Sequence, residues 1–180
     1  MGSYYHSSNS NKKCSCNSSS SSYKKCSCDH SHKKSCPAYG TFWQTEFITV
    51  PFGDPFPFNH VGPIAGGVSL LNPTTIQISQ TGDYRVSFIS TINTNSNPVF
   101  PHIPVMTIFL NNNPLANSQG DFAFQMNTSS NNECLQLAGE TIVTANSTLQ
   151  LKNNSGFNRQ SITTCDNGIN SVELTVIKLS

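Results

Sequence analysis

From residue 38 onward the chain offers no convincing helical spacing of its apolar residues. What recurs is the period-two pattern of half-buried strands, broken by Gly, Pro and Asn. TTIQIS (74–79) alternates, QTGD turns the chain, and YRVSFISTI (84–92) alternates again. The runs YGTFWQTEFITV (39–50), IPVMTIFL (103–110), DFAFQM (121–126), CLQL (134–137) and TIVT (141–144) read as further strands, the last two on either side of Gly139. STLQLKN (147–153), RQSITT (159–164) and SVELTVIKL (171–179) complete a set of about ten. That number and the length of the segment predict an all-β, two-sheet antiparallel jelly-roll sandwich. The alternative is an immunoglobulin-like sandwich, which needs fewer strands and about 100 residues.

Residues 1–36 are of a different kind. They hold thirteen Ser and no Leu, Ile, Val or Phe. Such a segment cannot bury enough apolar surface to offset its conformational entropy, so an extended or disordered arm is expected in the isolated monomer. Pro37 closes it. The expected division is an arm over 1–37 and a sandwich over 38–180.

Charge divides at the same place. The arm has six Lys and one acid, Asp29; the rest has two Lys, two Arg and eight acids. A basic arm suits either an anionic partner or docking on a neighbouring copy. Nucleic acid is not expected, because the lysines form three separated pairs, the arm has no Arg, and its only aromatics are Tyr4, Tyr5 and Tyr23. No apolar run is long enough for a membrane-spanning helix, so no membrane insertion is expected. MGSYYHSSNS lacks the apolar stretch of a secretory signal, and His6 stands where a myristoylation motif wants Ser or Thr.

The stretch DPFPFNHVGPIAGGVSLLNPTTIQISQTGDYRVSFISTI (54–92) resembles the C-terminal domain of BclA-like exosporium glycoproteins of spore-forming bacilli, within the tumour-necrosis-factor/complement-type jelly rolls. The resemblance rests on the entry from Asp54 to Gly62, an Ile-rich strand, Thr81, Gly82 and Tyr84 opening a long strand, and the strand from Val172 to Leu179. It implies a homotrimer with apolar residues packed along a three-fold axis. Tyr84, Val86, Phe88, Val172, Leu174 and Val176 are the candidates, either for that axis or for the core of a single domain. The collagen-like stalk of that family is absent, and a Cys-rich arm stands in its place. The nearest analogy is then the endospore appendage, a fibre of jelly rolls joined by Cys-bearing connectors. Spore-surface proteins are made in the mother cell, which removes the need for a secretion signal.

The arm carries KKCSC twice, at 12–16 and 24–28, and a shortened copy, KKSC, at 33–36. Its cysteines are Cys14, Cys16, Cys26, Cys28 and Cys36. A disulfide within one Cys-x-Cys is strained, and an odd count favours bonds between subunits. Neighbouring lysines favour the reactive thiolate, and an oxidising exterior would lock such bonds. The rival reading is a zinc site on Cys26, Cys28, His30, His32 and Cys36, weakened by the Cys-x-Cys spacing and the lack of surrounding apolar residues. Cys134 and Cys165 could pair with each other, pair with arm cysteines of another subunit, or stay as buried thiols.

No catalytic motif, cofactor site or metal site is expected. His60 and His102 read as loop or packing residues, Asp83 and Glu140 as turn carboxylates, and the Asn-x-Ser/Thr triplets as by-products of composition. Two roles follow. The first is a spore-surface structural subunit that trimerises and polymerises through its arm, with itself and possible other exosporium or appendage proteins as partners. The second is a trimeric receptor- or glycan-binding module anchored by the arm.

Overall fold

The computed structural model describes residues 37–94, 99–128, 134–165 and 168–180, and the backbone of residues 15–16 and 26–27. The chain divides into two units, Met1–Cys36 and Pro37–Ser180. In the first, β1 (Ser15–Cys16) and β2 (Cys26–Ser27) pair antiparallel, with Cys16 opposite Cys26 and Ser15 opposite Ser27. The remaining arm cysteines, Cys14, Cys28 and Cys36, and His30 and His32 lie outside the described residues.

The second unit is built of β3 (Tyr39–Gln44), β4 (Thr49–Val50), β5 (His60–Ala65), β6 (Val68–Asn72), β7 (Thr75–Ile78), β8 (Gly82–Asn93), β9 (Val105–Leu110), β10 (Asn113–Pro114), β11 (Asp121–Ala123), β12 (Cys134–Ala145), β13 (Thr148–Asn153), β14 (Ile162–Thr163) and β15 (Val172–Lys178). One sheet runs β12-β8-β15-β3-β5. The other runs β10-β9-β13-β7-β6, with β11 on the same edge of β9 as β10. The pair β4–β14 lies beside them. All pairs are antiparallel, and most neighbours are distant in sequence, as a jelly roll requires.

Alternation puts one face of each sheet inside. Along β8, Tyr84, Val86, Phe88, Ser90 and Ile92 point inward, facing Ile76, Ile108, Leu149 and Leu151 of the other sheet across a continuous core. The β9–β10 hairpin turns on Asn111 and Asn112, both at positive φ (49° and 67°), which suits the inverted two-residue turn that matches strand twist.

Asn153 is fully buried at the end of β13. Its amide donates to the carbonyls of Val50 and Gln160, both at 2.9 Å, and its Oδ1 accepts from the amide and hydroxyl of Ser155. Every polar position is thereby satisfied, which is what makes a buried amide tolerable.

The structure departs from the sequence expectations at several points, the unexpected strands β6 and β10 among them. The run 39–50 is two strands, because the chain breaks at residues 45–48, where Gln44 Oε1 accepts from the amides of Thr45 and Glu46. CLQL and TIVT are one unbroken strand, β12, with Gly139 inside it. β5 holds Gly62 and Pro63, residues that discourage a strand assignment, but it is an edge strand, where the missing donor is tolerated.

Candidate interaction face and the cysteine sites

The outward side of the sheet β12-β8-β15-β3-β5 forms a grid fixed by register. Its first row is Tyr39–Ile177–Arg85–Ile142. Its second is Thr41–Thr175–Ser87–Glu140, and its third is Trp43–Glu173–Ile89–Ala138. The outer rows carry the large apolar groups, with Tyr39 40 % exposed, Ile89 41 % and Ile142 54 %. The middle row is polar, three of its four side chains being Thr or Ser, and the sheet is hollowed there into a shallow depression of about 410 Å³ bordered by Ser87, Ala138, Glu140, Glu173 and Thr175.

The polar contacts on this face are loose. Thr41 and Thr175 share a hydroxyl contact at 3.4 Å. Arg85 Nε stands 3.9 Å from Glu140 Oε2, with both side chains roughly half exposed, a pair worth ~0–1 kcal/mol. At the β3–β5 side His60 stacks on Trp43 with centroids 5.3 Å apart and planes at 17°, and its Nε2 lies 3.2 Å from the Thr45 hydroxyl. This face is therefore apolar at its margins, weakly charged, and free of a rigid hydrogen-bond network.

The six packing candidates sit on the opposite side of the same sheet. Tyr84, Val86, Val172, Leu174 and Val176 are fully buried and Phe88 is 4 % exposed, all within the core of one chain. They do not line an outward face. Burial raises the Tyr84 hydroxyl above its ordinary pKa, and the group donates to the Gln80 carbonyl at 2.8 Å. The outward residues between them, of which Arg85 and Ser87 are already set by alternation on the face opposite Tyr84, form the exposed grid. The same alternation marks them once the inner set is known.

Cys134 and Cys165 form a disulfide with Cα atoms 6.0 Å apart. It ties the start of β12 to the segment after β14, beside the paired residue Asn93, and the Cys165 amide donates to the Thr91 carbonyl at 3.0 Å. The two are thus partners within one chain.

His102 is 4 % exposed and its Nδ1 has no partner. Burial lowers its pKa, opposed by a hydrogen bond with Gln160. Among the described residues no three His, Cys, Asp or Glu side chains cluster as metal ligands would.

No protein-family model and no curated protein matches the chain. Solved structures do. The globular domain of zebrafish complement 1qA protein is similar at a TM-score of 0.53 and 10 % identity, covering 79 % of this chain and 95 % of that one. Eiger TNF from S. frugiperda is similar at a TM-score of 0.56 and 11 % identity, covering 80 % and 92 %. The fold is a tumour-necrosis-factor/C1q-type jelly roll. At these identities the likeness concerns fold alone.

Proposed function

We propose that this chain is a structural subunit of the bacterial spore surface. Three copies associate through the outward grid of the five-stranded sheet, and the N-terminal arm joins such units into an appendage fibre or an exosporium lattice with disulfides between subunits. The observation that carries the association is the exposed grid itself. Tyr39, Ile89 and Ile142 leave an apolar surface uncovered on a sheet whose other face is already the core. The fold supports it, because domains of this superfamily are often trimeric. The spore setting rests on the resemblance at Asp54–Ile92, and the coupling role on the Cys-rich arm.

Two measurements test this. Sedimentation of the full-length protein in reductant should give a trimer, and Ile89→Asp with Ile142→Asp should give a folded monomer; a monomeric parent sinks the association. Negative-stain microscopy of the oxidised full chain should show fibres or sheets that residues 38–180 alone do not form. Discrete particles in both samples would favour the anchored binding module.

A further inference from the structure

We propose that the Cys134–Cys165 disulfide is a thiol-modification site that opens from one side. A low-molecular-weight thiol attacks Cys134 and stays on it as a mixed disulfide, and Cys165 leaves as a buried thiol. This goes beyond the assembly proposed above and does not depend on it.

The two halves of the bond stand in unlike surroundings. Cys134 is exposed, at the first residue of β12, the strand that ends the five-stranded sheet. Cys165 is 1 % exposed and closes a run, residues 162–165, that is buried throughout. A thiolate enters in line with the S–S bond, behind the sulfur it attacks, so access decides which sulfur is taken. Access here favours Cys134 as the acceptor and Cys165 as the leaving group. Burial disfavours a charged thiolate, so Cys165 takes up a proton as it leaves and rests in its site as a neutral thiol, a small apolar group.

The step balances without an oxidant. The guest thiol gives its proton to solvent, and its sulfur bonds to Cys134 Sγ. The Cys134–Cys165 S–S bond breaks, and the Cys165 sulfur keeps the electron pair and is protonated. One disulfide and one thiol enter, and one disulfide and one thiol remain.

Both halves stay in place once the bond is open. Pairing with β8 holds β12 from Cys134 to Ala145. On the other side, the Cys165 amide donates to the Thr91 carbonyl at 3.0 Å and the Thr164 amide to the Ile48 carbonyl at 2.9 Å. The Thr164 hydroxyl in turn accepts from the Ile48 amide at 3.0 Å. Cys165 therefore remains beside the mixed disulfide, in position to attack Cys134 and expel the guest. The modification is reversible, and its occupancy follows the concentration of free thiol.

The test uses the full-length chain carrying Cys14→Ser, Cys16→Ser, Cys26→Ser, Cys28→Ser and Cys36→Ser, which leaves Cys134 and Cys165 as its cysteines. The folded protein is incubated with reduced glutathione at millimolar concentration, trapped with N-ethylmaleimide in denaturant, digested with trypsin and weighed. Cys134 falls in the peptide between Arg85 and Lys152, and Cys165 in the peptide between Arg159 and Lys178. The proposal expects a gain of one glutathione on the Cys134 peptide and of one N-ethylmaleimide on the Cys165 peptide. Diluting the glutathione before trapping should restore the parent bond. Glutathione on Cys165, or shared equally between the two, would overturn the proposal. Glutathione on neither peptide, with the bond intact or fully reduced, would overturn it as well.

Discussion

The ring of Phe122 fills the space that a Cβ on Gly139 would occupy. Gly139 lies in the middle of β12 opposite Phe88, and Phe122 meets Phe88 edge-on with centroids 5.4 Å apart. The glycine is therefore a contact surface for an aromatic pair and not a break between strands. Gly139→Ala should push Phe122 from its place and cost ~1–3 kcal/mol, measured by denaturant unfolding. An unchanged midpoint would mean that Phe122 relocates freely.

Removal of the Cys134–Cys165 bond releases a loop with a sequence separation of 31. Loop-closure entropy assigns such a bond ~3–4 kcal/mol. Cys134→Ser with Cys165→Ser should lower the melting temperature by on the order of 10 °C. The parent in reductant should melt like the variant, which calorimetry in both conditions would check.

Asn153 holds three separate segments together through its buried amide. Asn153→Leu would strand the carbonyls of Val50 and Gln160 and the amide of Ser155. Unsatisfied buried groups cost ~1–3 kcal/mol each, so this single change should destabilise by several kcal/mol. Equilibrium unfolding reads the loss; a value below ~1 kcal/mol would contradict the bonding described.

His102 sets a direction with pH. Its folded pKa lies below the unfolded value of 6.5, so the unfolded chain takes up the proton first as pH falls. The stability it contributes is present above pH 6.5 and is lost as pH drops through that value towards the folded pKa. His102→Gln should flatten the stability profile just below pH 6.5 in denaturant titrations at stepped pH. Parallel profiles for parent and variant would count against it.

The sandwich was legible because alternation is local. Tyr84, Val86 and Phe88 announce one buried face within five residues. β5 was obscured by Gly62 and Pro63, whose cost depends on edge position, a property of the assembled sheet. How the outward residues join into one grid was hidden for a similar reason. Thr41 meets Thr175 across 134 positions of sequence, and Thr175 meets Ser87 across 88, so no local pattern joins them. The Cys134–Cys165 pairing likewise depended on where β12 begins relative to the end of β14, which only the register reveals.

β15 is the last described strand in sequence, yet it lies between β8 and β3. A chain leaves the ribosome with its N-terminal residues first. Until residues 172–178 emerge, β3 and β8 have no shared neighbour, and the five-stranded sheet remains two separate pieces. Completion of this domain therefore waits on translation of its final strand, so nascent chains cannot display the finished grid to one another while that strand is still unmade.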